Sequence, residues 1–122
     1  MHKLLLEKNR NDAYYNIILK NMKPIDLTDE TITSFIEENE KVLIDFHAPW
    51  CGPCRAMSAT IDEIAESYPD FAIGKCDVDE NAKAAEMFGV LNLPFIALIE
   101  NGELVATAVG LQTKENLEKM LA

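Results

Sequence analysis

The sequence predicts an α/β fold: a central mixed sheet, mainly parallel with an antiparallel C-terminal hairpin, flanked by helices on both faces, plus an extra N-terminal segment. Three observations predict it. Strand-length apolar runs alternate with amphipathic stretches of helix length, the order that parallel strands need for their crossovers. Val42-Leu43-Ile44-Asp45-Phe46 is almost continuously apolar, as in a strand covered on both faces. Asn101-Gly102 separates two apolar runs, a strong hairpin signal.

The elements follow in order βαβαβαββα. Residues 24–27 read as a short strand. Thr28 is a candidate N-cap, with Asp29 and Glu30 suited to a first helical turn, and Ile32, Phe35 and Ile36 recur at helical spacing. Residues 41–48 hold the buried strand. From Arg55 to Tyr68, Met57, Ile61, Ile64, Ala65 and Tyr68 share one helical face, and Pro69 stops the helix. Residues 71–78 alternate as a strand. Residues 81–88 form a short helix that Gly89 ends. Residues 95–99 and 104–109 are the hairpin strands, and Thr113 caps a last helix carrying Leu117, Met120 and Leu121.

A chain of 122 residues suits one domain with its own core. Residues 1–21 differ from the remainder. Four basic residues (Lys3, Lys8, Arg10, Lys20) face two acidic ones (Glu7, Asp12), a net charge of +2 that leaves −12 on residues 22–122. Tyr14, Ile17 and Ile18 suggest a short helical stripe after a cap at Asn11. We therefore divide the chain into an extension, 1–21, and a domain, 22–122. The net charge of −10 offers no basic footprint for nucleic acid. No stretch approaches the roughly 18–20 apolar residues of a membrane span. The opening Leu4-Leu5-Leu6 is interrupted by charge before a signal-peptide core can form, so a cytoplasmic protein is expected. A monomer is expected as well, since no long apolar stripe is left over.

Three cysteines make an odd count, which argues against a stapled secreted scaffold. Cys51 and Cys54 form a C-x-x-C pair inside Trp50-Cys51-Gly52-Pro53-Cys54, between the buried strand and the long helix. The first cysteine thus falls at a helix N-terminus, where free amides and the macrodipole stabilise a thiolate and lower its pKa. The second, one turn on, is placed to attack a mixed disulfide formed at the first. Pro53 suits the first turn and Gly52 keeps the approach open. Half of a zinc site and an inert buried pair are the alternatives. A zinc site needs four ligands, and only Cys76, His2 and His47 remain to complete one.

Residues 24–121 resemble the thioredoxin family, whose most specific motif is this same Trp-Cys-Gly-Pro-Cys run. The resemblance implies further roles. Asp45 stands where the family keeps a buried acid that shuttles a proton to and from Cys54. Lys75, in Gly74-Lys75-Cys76-Asp77-Val78-Asp79, stands at the matching place in the third strand and is a candidate partner of Asp45. Pro94 takes the position of the family's cis-proline, which leaves the backbone of Leu93 free for a substrate strand. Gly102 and Gly110 match the hairpin glycine and the substrate-facing turn. Trp50, Gly52, Pro53, Leu93, Pro94 and Gly110 would make an apolar docking lip. Each assignment has a plainer reading: a turn or wet strand face for Asp45, an exposed strand lysine for Lys75.

Four positions depart from the family pattern. His47 replaces a tryptophan and shares a strand face with Asp45, as a titratable group near the thiols or a polar filler. Ala59 replaces the proline that kinks the active-site helix. Asn92 and Phe95 flank Leu93-Pro94 in place of glycine and threonine, and Phe95 is expected to make the lip bulkier. Cys76 should face away from Lys75, as core filler or a secondary oxidation site.

The resemblance implies a protein-disulfide reductase: Cys51 attacks, Cys54 resolves, and a thioredoxin-reductase-like, flavin-dependent enzyme fed by NADPH restores the dithiol. Disulfide-containing proteins would be the clients. No bound cofactor and no metal are expected, only the Cys51–Cys54 disulfide. Two other readings stay open: a client-specific oxidant or isomerase-like variant, and a non-catalytic binding module on the same fold.

Overall fold

The computed structural model describes residues 22–122, so the helical stripe expected at Tyr14, Ile17 and Ile18 lies outside the described residues. Strands β1 (Ile25–Leu27), β2 (Lys41–His47), β3 (Ala72–Asp77), β4 (Phe95–Glu100) and β5 (Glu103–Val109) alternate with helices α1 (Ile32–Glu37), α2 (Gly52–Ser67), α3 (Ala82–Met87) and α4 (Lys114–Leu121). The strands form one sheet in the order β1-β3-β2-β4-β5. β3 runs parallel to β1 and β2, whereas β4 is antiparallel to both β2 and β5. The sheet is mixed, as expected. The hairpin does more than extend an edge, because β4 takes an interior place beside β2.

Alternation along the strands divides the core into two layers. Val42, Ile44 and Phe46 of β2 face the side covered by α1 and α3, with Ile32, Ala84, Cys76, Phe95 and Ala97. Leu43 faces the side of α2 and α4, with Ile73, Ile96, Met57, Ile61 and Leu117. Phe46 is fully buried and lies edge-on to Phe95, ring centroids 5.9 Å apart. Truncating it to alanine would cost about 3–5 kcal/mol.

Local chemistry explains most element ends. Asn101 and Gly102 both take positive φ (52° and 80°), which a two-residue hairpin of this kind requires. Gly89 closes α3 with φ 66°. Thr113 caps α4, its Oγ1 accepting the amide of Asn116 at 3.0 Å. α1 begins at Ile32, later than the expected cap at Thr28. Thr28 and Thr31 instead exchange hydrogen bonds in a turn, and the Asp29 carboxylate accepts the amide of Ala84, 55 residues away, at 2.8 Å. The helix loses its first turn to a tie between α1 and α3.

Candidate active site

α2 begins at Gly52, three residues before the expected start, because proline is tolerated in a first turn whose amides have no helical partner. Cys51 is the N-cap, and its Sγ accepts the amide of Cys54 at 3.2 Å. That amide and the positive end of a 16-residue helix converge on one sulfur. α2 runs unbroken through Ala59. Cys51 and Cys54 are joined in a disulfide, Cα atoms 5.3 Å apart. The pair packs in a small apolar nest with Ala48, Val78 and Leu93.

The residues expected to form a docking lip differ in exposure. Trp50 is 68 % exposed, and its indole N–H donates to both carboxylate oxygens of Asp79, at 3.2 and 3.0 Å. Gly52 and Pro53 are exposed, Leu93 is half-buried and Pro94 is buried. The Leu93–Pro94 peptide is cis. Gly110 sits at φ 88°, a conformation costly for any residue with a Cβ, and its amide donates to the carbonyl of Pro94 at 2.8 Å. Phe95 does not belong to the lip. Its side chain points to the opposite layer and packs on Phe46, because residues 94 and 95 fall on alternate faces.

Behind Cys54 the sheet carries a polar row. Asp26, Lys75 and Asp45 are neighbours across β1, β3 and β2, and His47 pairs in register with Asp77. Asp45 is only 1 % exposed, and neither of its oxygens has a hydrogen-bond partner among the described residues. Burial pushes its carboxyl up from about 3.8 to about 7; Lys75 pulls it down and Asp62 pushes it further up. The expected Lys75–Asp45 pair does not form. The Lys75 ammonium turns to α2, 2.6 Å from Ser58 Oγ and 2.8 Å from Asp62 Oδ1. Cys54, Ser58 and Asp62 recur every four residues along one face of α2, the sequence signal that was there to be read.

His47 is half-buried and lines a cleft of about 410 Å³ together with Cys54, Lys75, Asp26, Ser58 and Arg55. Burial lowers its pKa below the usual 6.5; Asp77 opposes this, Lys75 adds to it and Asp26 opposes it. Cys76 lies in the other layer, fully buried, with its thiol pushed up to about 11 by burial and by Asp29 and Asp77. It is core filling there, not a reactive thiol. Among the described residues no group of three or more acidic, histidine or cysteine side chains is arranged to hold a metal ion. No described helix is long and apolar enough to cross a membrane.

Comparison with known proteins agrees with this geometry. The thioredoxin family model matches residues 23–122. The chain belongs to the thioredoxin family. A thioredoxin of Alicyclobacillus acidocaldarius is 40 % identical over 97 residues, 79 % of this chain and 92 % of its own length. One from Bacillus subtilis is 37 % identical over 101 residues, 82 % of this chain and 96 % of its own length. The solved N21Q mutant thioredoxin from Halobacterium salinarum superposes with a TM-score of 0.78 at 36 % identity, covering 82 % of this chain and 88 % of its own. With the Cys51–Cys54 disulfide at the helix N-terminus, the protein is a thiol–disulfide oxidoreductase that reduces protein disulfides.

Proposed function

We propose the following division of labour for this thioredoxin's reductive cycle. The Cys51 thiolate attacks a client disulfide, forming a mixed disulfide and expelling one client thiolate. Cys54 then gives its proton to the Asp45 carboxylate and attacks Cys51 Sγ. The Cys51–Cys54 bond forms, the bond from Cys51 to the client breaks, and the second client thiolate leaves. Two electrons have passed to the client. A thioredoxin-reductase-like partner, flavin-dependent and fed by NADPH, returns them. The observation that carries this order is Cys51 Sγ accepting the Cys54 amide at the α2 N-terminus, where a sulfur anion is best stabilised.

The remaining residues serve these two thiols. Asp45, with its carboxyl near 7, can take and return a proton at neutral pH. Lys75 acts at one remove, lowering the Asp45 pKa through space while held by Asp62. Trp50, Gly52, Pro53, Leu93, Pro94 and Gly110 receive an extended client segment, the Leu93 backbone serving as its strand partner. The protein works as a monomer in the cytoplasm, on disulfide-containing proteins. Residues 1–21 form an extension to the catalytic domain, residues 22–122.

Trapping tests the assignment. Cys54→Ser, mixed with a protein disulfide such as that of insulin, should accumulate a mixed disulfide through Cys51. Cys51→Ser should accumulate none. The reverse pattern would exchange the two roles.

A further inference from the structure

A proton leaving the Cys54 thiol must reach solvent, and Asp45 cannot deliver it alone. Its carboxyl is almost wholly buried and has no hydrogen-bond partner among the described residues. The cleft beside Cys54 is not lined by Asp45 itself but adjoins it, because Lys75, its registered neighbour on β3, and His47, its same-face neighbour on β2, both line it. At about 410 Å³ it is roomy enough for several waters, and its walls include Cys54, Lys75, Asp26 and Ser58 as polar partners. Its one imidazole is His47, two residues beyond Asp45 on the same face of β2 and half-exposed where Asp45 is sealed.

We propose that His47 is the proton relay of the resolving step, carrying the Cys54 proton from the buried carboxyl through the cleft to solvent. This rests on the reductive cycle proposed above. The proton passes from the Cys54 thiol to Asp45, then by cleft water to the neutral imidazole, and the imidazolium releases it to bulk water. The thiolate left behind forms the Cys51–Cys54 bond as the client thiolate departs. When the disulfide is reduced again, the same path returns the proton. Proton count and charge balance at each transfer.

The groups facing His47 suit a relay. Asp77 and Lys75 on β3 and Asp26 on β1 surround the ring, and Cys54, Ser58 and Arg55 of α2 close the cleft. Asp77 is its registered neighbour, placed to favour the transient imidazolium. Burial keeps the ring neutral at rest, ready to accept. Lys75 does not block the path, because its ammonium is held by Ser58 and Asp62.

The test is single-turnover oxidation of the reduced protein by a protein disulfide between pH 5 and 9, followed through the fluorescence of Trp50, the chain's one tryptophan. His47→Asn keeps a hydrogen-bonding side chain that does not titrate in this range. Its rate should fall about a hundredfold at pH 7, at the low end of what a placed proton-transfer group contributes. The acid limb that Asp45 sets near pH 7 should remain, while a second limb, below the usual histidine range, should vanish. In folded His47→Ala, free imidazole should restore most of the rate. Wild-type rate and profile in His47→Asn would overturn the relay, as would an altered Cys51–Cys54 potential without a rate defect. Should His47→Asn not fold, failure of imidazole to rescue His47→Ala overturns it equally. Wild-type protein that reduces no protein disulfide would instead refute the cycle itself.

Discussion

Lys75 and Asp45 stand side by side on β3 and β2, yet the Lys75 ammonium closes on Asp62, 2.8 Å away, and both Asp45 oxygens stay without a hydrogen-bond partner among the described residues. The lysine therefore acts on the buried acid through space, without neutralising it. Lys75→Met should raise the Asp45 pKa above about 7. Asp62→Asn should lower it, by removing a negative charge and freeing the ammonium to turn. Carbon-detected NMR titration of the Asp45 carboxyl reads both shifts. Equal pKa values in the parent and both variants would mean that neither charge reaches Asp45.

Asp45 also makes stability depend on pH. Its folded-state pKa, about 7, lies above the ordinary 3.8, so the folded chain binds this proton more tightly than the unfolded chain. Folding is thus least burdened by Asp45 below about pH 4, and stability falls as pH rises through 4 to 7. Asp45→Ala removes the burden. It should stabilise the protein by about 4 kcal/mol at pH 8 and change little at pH 3.5. Urea unfolding at the two pH values checks the sign, and a loss of stability at pH 8 would contradict the buried-acid account.

The Trp50–Asp79 contact predicts a binding effect separable from chemistry. Asp79 fixes the indole at the exposed lip. Asp79→Ala should free it at a cost of about 1 kcal/mol in client docking. KM for a protein disulfide should rise several-fold, while the rate with a small linear disulfide such as 5,5′-dithiobis(2-nitrobenzoic acid) should hold. A matching loss with both substrates would place Asp79 in the chemistry instead.

What was legible in the sequence was local. Asn101-Gly102 marks its hairpin because both residues tolerate positive φ. The Cys51–Cys54 spacing marks a helix start, and an acid inside Val42-Leu43-Ile44-Asp45-Phe46 marks a buried charge. What was not legible depends on long-range placement. The partner of Lys75 is fixed by how α2 crosses the sheet, which brings Asp62 nearer the ammonium than Asp45. Asp29 reads as a first-turn acid but is drawn to Ala84, and α1 starts late as a result. Phe95 reads as lip because it follows Pro94, yet strand alternation turns it into the core against Phe46.

The reduction potential of the Cys51–Cys54 pair, measured by equilibration in defined dithiothreitol buffers, tests the central claim most directly. A disulfide reductase should give a value at or below roughly −250 mV, close to the −270 mV that is typical of thioredoxins. A value between about −180 and −120 mV, the range of isomerases and oxidants, would contradict a reductase.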